Sequence, residues 1–217
     1  MDMQLLKDSR ETTNLFIYGA SGHGKVILDI LRANHLVVRG FIDDDISKKT
    51  FAGLHVFRSH QINPESDQII IGIGNNKTRK YIAEMHDCKI AMAIHPTAIV
   101  SPDTQIDGGT VIMQMAVIQP GTKIGKHCIV NTKASVDHDC HLGDYVHISP
   151  GATLCGNVTI GDLTWVGAGA TIIQNITIGA NVIIGAGAVV LRDVPDNVKV
   201  FGNPGRVVMP HPKEIVT

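Results

Sequence analysis

Aromatic residues are scarce in this chain, at 4% of 217 positions with a single Trp. An interior so poor in rings must be filled by aliphatic side chains, and 22 Gly point to close backbone approach. Neither sign of charge dominates: 19 Lys+Arg against 20 Asp+Glu leave a formal charge of -1. That balance argues against a nucleic-acid or anionic-membrane surface as the main partner. Cysteine is sparse too, and Cys88, Cys128, Cys140 and Cys155 form no C-x-x-C pair. This excludes a zinc ribbon or a thioredoxin-type motif and does not look like a disulfide framework. No run approaches the roughly 18 apolar residues that a membrane span needs, and the opening MDMQLLKDSR lacks the layout of a signal peptide. The expectation is a soluble, reduced, cytoplasmic protein.

The first half, residues 1–93, reads as alternating strands and helices. Asn14–Tyr18 is a short apolar run that ends in Gly19-Ala-Ser-Gly-His-Gly24. A helical pattern follows from Lys25 to Asn34, with Val26, Ile27, Ile30 and Leu31 on one side. A second strand, Val37–Ile42, closes in Asp43-Asp44-Asp45, and a third, Gln68–Ile73, ends in Gly74-Asn75-Asn76 before a helix to about Met85. Strand, Gly-rich turn, helix, strand and acidic residues is the order of a small, doubly wound, Rossmann-like parallel sheet.

Residues 94–217 keep a different period. From Ile94 to Val190 every sixth residue is Ile, Leu or Val, seventeen in succession with no insertion. Four residues after each aliphatic one stands a mostly small residue, such as Ala98, Thr110, Ala116, Ala134, Ala152 or Ala170. Neither a helix nor a plain strand has that period; a β-solenoid does. Gly125, Gly143, Gly161 and Gly179 recur every eighteen residues, so three hexads make one triangular coil, and the length predicts about five coils.

The hexad run resembles the left-handed β-helix acyltransferases of the hexapeptide-repeat family. With a GASGHG-bearing domain in front, the layout is similar to the branch of bacterial nucleotide-sugar N-acetyltransferases that act on 4-amino-deoxysugars, and to the related sialic acid O-acetyltransferases. The resemblance spans roughly Asn14 to Val208. It implies acetyl-CoA as donor, no metal, a homotrimer with active sites between neighbouring subunits, and a UDP-, dTDP- or GDP-linked amino sugar as acceptor in glycan or O-antigen synthesis.

Acetyl transfer needs a base of near-neutral pKa to take the acceptor's proton and a donor aimed at the oxyanion. Asn131-Thr-Lys-Ala-Ser-Val-Asp-His138-Asp139-Cys140 offers a His flanked by carboxylates, one of which would fix its tautomer. The resemblance makes His138 the general base, oriented by Asp139 or, as the alternative, Asp137. Residue 138 plus 18 is Gly156, so the two should stack on adjacent coils about 4.8 Å apart. The resemblance also puts an oxyanion-type glycine in Gly151-Ala-Thr-Leu-Cys-Gly156, and a thioester- or substrate-contacting His at His147. His127, His141 and His211 read as solvated bystanders.

Gly19, Gly22 and Gly24 have G-x-x-G-x-G order rather than the dinucleotide fingerprint, so NAD is not indicated. A helix N-terminus there suits anionic or polar sugar-phosphate atoms, and the resemblance has Gly22 and His23 contact the nucleotide sugar. Asp43 and Asp44 stand about twenty residues on, where acids bind a ribose or base edge. Lys77 and Arg79 either meet phosphate or form the polar side of a helix. At the far end Gly202-Asn-Pro-Gly-Arg206 is similar to the tail that abuts CoA in the family, with Gly205 in place of the usual Ala. It implies a phosphate contact for Arg206 and a pantetheine groove lined by Gly167-Ala168 and Gly185-Ala186. The alternatives are O-acetylation of sialic acid or another sugar, and a non-catalytic trimeric sugar-nucleotide-binding protein. A β-helix carbonic anhydrase fits poorly, because no two of His95, His127, His138, His141 and His147 are five apart.

Overall fold

The computed structural model describes residues 14–208, so the expectation for His211 lies outside the described residues. The chain divides into two compact units, Met1–Pro96 and Thr97–Thr217. Among the described residues no helix is long and apolar enough to cross a membrane.

The first unit is an α/β fold. Its elements are β1 (Asn14–Tyr18), α1 (Gly22–Ala33), β2 (Val38–Ile42), β3 (Thr50–Phe51), β4 (Leu54–Phe57), β5 (Asp67–Ile71), α2 (Asn76–Met85) and β6 (Lys89–Ile90). The sheet order is β3-β4-β2-β1-β5-β6, parallel except for the β3–β4 pair. The hairpin of β3 and β4 was not expected; its strands of two and four residues are too short to carry a hydrophobic period. Phe16, Ile42, Ile69, Ile71, Ile82 and Cys88 form one buried cluster, and Ile17, Ile27, Ile30 and Leu31 are buried as well. β1 pairs with β2 on one side and β5 on the other, which makes its carboxyl end the topological switch point of the sheet. The turn there is closed by Gly19 N–H to the Ile42 carbonyl, 2.7 Å, and Gly72 N–H to the Tyr18 carbonyl, 2.7 Å. Gly24 must lack a side chain, since a Cβ would come within 2.2 Å of the Gly19 carbonyl oxygen.

The second unit is a parallel β-helix. Each strand has two residues, and partners lie eighteen apart: Val111, Ile129, His147, Trp165 and Ile183 stack on one face, Ile99, Val117, Ser135, Thr153, Thr171 and Val189 on the second, and Gln105, Lys123, His141, Thr159 and Thr177 on the third. The six-stranded and five-stranded second and third sheets thus give between five and six coils. The aliphatic hexad residues point inward, Ile112, Ile148, Leu154, Val166 and Ile184 among them at 0% exposure, each burial stabilising by about 1.5–3 kcal/mol. The small residues Ala116, Ala134, Ala152 and Ala170 are also fully buried, at the corners where the chain turns sharply. From Gly109 to Gly187 each corner takes one residue into left-handed backbone, as His127, Tyr145, Leu163 and Asn181 show on one edge. The last coil is shorter by two residues: Lys199 pairs with Ile183, and Val194 bridges to Ile178. A final strand, Arg206–Val208, runs back antiparallel on Lys199–Phe201.

Candidate active site

His138 sits at the corner between the second and third faces, after the Ser135–Val136 strand and before His141–Leu142. Its ring Nδ1 is 2.8 Å from Asp139 Oδ2. Asp137 has another task, because its Oδ1 accepts from the His138 backbone N–H at 2.8 Å. The bond to Asp139, then the charges of Asp137 and Asp139, hold the imidazole pKa above its ordinary 6.5. Beneath the turn Thr122, fully buried, donates to the Asp137 carbonyl at 2.8 Å and accepts from the Cys140 N–H at 3.2 Å. The corner is therefore tied at both ends by one hydroxyl. Cys140 points inward and burial pushes its thiol up to about 11, so it is no nucleophile at neutral pH.

Gly156 lies on the next coil, against the other end of the imidazole: a Cβ there would come within 2.5 Å of His138 Nε2. The glycine leaves the Nε2 side of the ring open to a reacting group. Asp139, His138 and Gly156 are thus brought together, and the side chains of His138 and Asp139 are 59% and 66% exposed.

His147 lies on the first face and is 7% exposed. Its Nε2 is 3.1 Å from Asn131 Nδ2, and its ring stacks on Trp165 at 5.8 Å and 8°. Trp165 Nε1–H donates to Ser149 Oγ at 2.7 Å. These residues open a groove of about 420 Å³ whose lining also includes Gly167, Ala168, Gly185 and Ala186. The structure therefore groups His147 with the two alanines expected to meet the acyl donor. Sequence reasoning missed Trp165 and Ser149, although 147 plus 18 is 165 and the column was available. Arg206 is elsewhere: it lines a separate cavity of about 490 Å³ with Leu191, Arg192, Pro204 and Val207. His141 is exposed as expected, but His127 is not the solvated bystander expected of it. It is 9% exposed and stacks on Tyr145 at 5.1 Å and 13°, because the residue eighteen further on is aromatic.

In the first unit the nominated side chains are engaged by their own loops. Asp43 accepts from the Ala20 N–H at 3.0 Å and pairs with Lys48 at 2.6 Å through Oδ2, and its Oδ1 takes the Asp45 N–H at 3.1 Å. Asp44 accepts from the Ser59 N–H and the Tyr18 hydroxyl. Burial, then the Asp44 charge, pushes the Tyr18 phenol up to about 12. Arg58 crosses the same loop, donating to the carbonyls of Asp43, Asp45, Ile46 and Lys48. Arg79 is 1% exposed and donates to the carbonyls of Ile73 and Gly74 and to Asn76 Oδ1, whereas Lys77 is exposed. Gly22 is exposed at the start of α1 behind its N-cap, Ser21. His23 follows it, and desolvation, aided by the Arg79 charge, lowers its pKa to about 4, so its ring is neutral at physiological pH. Among the described residues no group of three or more His, Cys, Asp or Glu could hold a metal ion.

Residues 14–86 match the PglD N-terminal domain, and residues 121–156 and 157–192 match the bacterial transferase hexapeptide (six repeats). The chain is similar to the acetyltransferase domain of PglB from Neisseria gonorrhoeae FA1090, at 39% identity and TM-score 0.86 over 91% of this chain and 100% of that one. That domain has also been solved in complex with acetyl coenzyme A. A histidine variant of perosamine N-acetyltransferase from Caulobacter crescentus, in complex with CoA and GDP-perosamine, is 34% identical with TM-score 0.87, over 92% of this chain and 98% of that one. UDP-N-acetylbacillosamine N-acetyltransferase of Bacillus subtilis (strain 168) is 41% identical over 112 residues, 46% of this chain; the match spans about half, 51%, of that curated relative.

Proposed function

The chain belongs to the hexapeptide-repeat acetyltransferases that carry a PglD-type N-terminal domain, and we propose that it transfers acetyl from acetyl-CoA to the amine of a nucleotide-linked 4-amino-deoxysugar. The observation that carries the reading is the pair His138–Asp139, bonded at 2.8 Å with Nε2 over Gly156.

The residues divide the work as follows. Asp139 accepts a hydrogen bond from Nδ1–H, which leaves Nε2 as the basic nitrogen. His138 takes a proton from the amine as its nitrogen bonds to the thioester carbonyl carbon. The backbone N–H of Gly156 stabilises the tetrahedral oxyanion. The C–S bond then breaks, and His138 returns the proton to the departing thiolate sulfur. Ala168, Ala186 and His147 line the groove that takes the pantetheine arm and thioester, and Arg206 meets a CoA phosphate. Gly22 and His23 at the start of α1 hold the nucleotide sugar, with His23 as a neutral hydrogen-bonding ring. Asp44 contributes to the nucleotide site, while Asp43 shapes it by tying the Ala20 turn to Lys48.

His138 and the groove of His147 belong to different edges of the β-helix, which supports a homotrimer in which one subunit's groove faces its neighbour's His138. The test is acetyl-CoA-dependent thiol release against nucleotide-linked 4-amino-6-deoxysugars, their 4-hydroxy counterparts, and free and CMP-linked sialic acid. Turnover confined to the amino sugars is the expected result. Turnover on the hydroxy acceptors moves the enzyme to O-acetylation, and thiol release from none of them overturns the reading.

A further inference from the structure

On the edge that carries His138, the residue in left-handed backbone recurs as Gly121, Asp139, Asn157 and Asn175, with φ of 73, 58, 58 and 62°. Side chains at these positions bond along the edge, coil to coil. Asp103 Oδ2 accepts from the Gly121 N–H at 3.2 Å, and Asn157 Nδ2 donates to Asn175 Oδ1 at 3.0 Å. Another edge does the same, with Asn181 Nδ2 donating to Asn197 Oδ1 at 2.8 Å. Asp139 departs from the pattern, since its Oδ2 is spent sideways on His138.

The cause lies one coil earlier. A Cβ on Gly121 would come within 2.4 Å of Asp139 Oδ1, so the carboxylate occupies the space that a side chain at 121 would fill. Backbone conformation alone does not demand glycine there, because Asn157 and Asn175 hold the same left-handed geometry with side chains. We propose that Gly121 is a positioning residue of the transferase site: it interrupts the edge ladder and leaves room beneath Asp139, so that this carboxylate turns to the ring nitrogen of His138. The dyad is then held between two glycines on neighbouring coils, Gly121 against the carboxylate and Gly156 against the imidazole.

The proposal rests on the reading of His138 as the base, and its test separates the two. Gly121→Asn places at 121 the residue that the same edge already accepts at 157 and 175, so the variant folds. Its amide competes for Asp139. The expected results are a kcat lowered about tenfold or more, little change in KM for acetyl-CoA or the nucleotide sugar, and a His138 titration, followed by NMR, displaced downward. The charged groups facing the ring are Asp137 and Asp139, and Asp137 stays with the His138 N–H. Asp139→Asn added to Gly121→Asn costs no further activity, because both remove one interaction. An unaltered His138 titration in Gly121→Asn, or losses that simply add, overturns the proposal. If Gly121→Asn does not fold, Gly121→Ala is set against Gly151→Ala. Gly151 has φ 66° and nothing within 4 Å of its added Cβ, so both carry the same backbone strain and only the first displaces the His138 titration. Retained turnover in His138→Ala would refute the base while leaving the titration of Gly121→Asn to judge the positioning.

Discussion

The two units place the charged side chains that hold their backbone differently. In the α/β unit, Asp43, Asp44, Arg58 and Arg79 hold backbone: they take the N–H groups of Ala20, Asp45 and Ser59 and the carbonyls of Asp43, Asp45, Ile46, Lys48, Ile73 and Gly74. In the β-helix the backbone satisfies itself coil to coil, as in Ser135 N–H to the Ala152 carbonyl and Asp137 N–H to the Leu154 carbonyl. Corner carboxylates add to this ladder, Asp144, Asp162, Asp193 and Asp196 each accepting a backbone N–H from the preceding coil, whereas the Asp139 carboxylate goes to the His138 ring. Irregular loops recruit polar side chains from far along the chain to satisfy buried peptide groups; a periodic coil draws them from the neighbouring coil, and Asp139, which departs from that pattern, is available to the imidazole.

The largest expected effect tests the second half of that contrast. His138→Ala lowers kcat about 1,000-fold, roughly 4 kcal/mol in the barrier, while the unfolding free energy from urea titration stays within about 0.5 kcal/mol of wild type. A variant that unfolds instead would make His138 part of the scaffold and break the comparison. Next comes Arg79→Leu, which strands the carbonyls of Ile73 and Gly74 and the Asn76 side chain and destabilises the α/β unit by about 3 kcal/mol. Urea unfolding measures it. Wild-type stability with lost nucleotide-sugar affinity would show that Arg79 serves the ligand rather than the loop.

The same contrast explains what could be read from the sequence. In the β-helix a difference of eighteen positions is a step of one coil, so arithmetic alone put Gly156 beside His138 and buried Ile112, Ile148 and Ile184. Trp165 and His127 were as accessible to that arithmetic through 147 plus 18 and 127 plus 18. Loop partners are another matter. Asp43 meets Ala20 across 23 residues and Ser21 meets Gly72 across 51, separations set by how α1 packs on the sheet, which no period records. The β3–β4 hairpin escaped for a related reason, being too short to show alternation. Asp139 rather than Asp137 on the imidazole was undecided by spacing, since both flank it; the left-handed φ of Asp139 and the missing side chain at Gly121 decide it.

A smaller effect distinguishes the two histidines by sign. His23 has a folded pKa near 4 against about 6.5 in the unfolded chain, so the unfolded state binds the extra proton first. Stability contributed by the neutral ring is present above pH 6.5 and is lost as the pH falls toward 4, by at most about 1.4 kcal/mol per unit. His23→Asn removes that slope. Melting temperatures of the two proteins between pH 7 and 4 therefore converge on acidification; parallel curves would place the ring in solvent.

His138 moves the other way, and its effect is a displacement along the pH axis rather than a loss of fold. Its pKa is raised, first by the bond to Asp139 and then by the charges of Asp137 and Asp139. The folded protein therefore holds this proton more tightly, and the small stabilisation that results is present at low pH and fades as the pH rises through the folded pKa. The proposed mechanism requires the opposite form, because only a neutral ring can accept the amine's proton. The acid limb of kcat/KM for the free enzyme accordingly has its midpoint above 6.5. Asp139→Asn removes the largest cause of the shift and slides the limb toward 6.5, while Asp137 still holds the His138 N–H in place. The variant turns over more slowly at its plateau, since the ring loses the partner that fixes its tautomer. An acid limb that does not move in Asp139→Asn would assign it to another group, and the sugar amine, which must also be neutral to attack, is the first to examine by titrating the free nucleotide amino sugar by NMR.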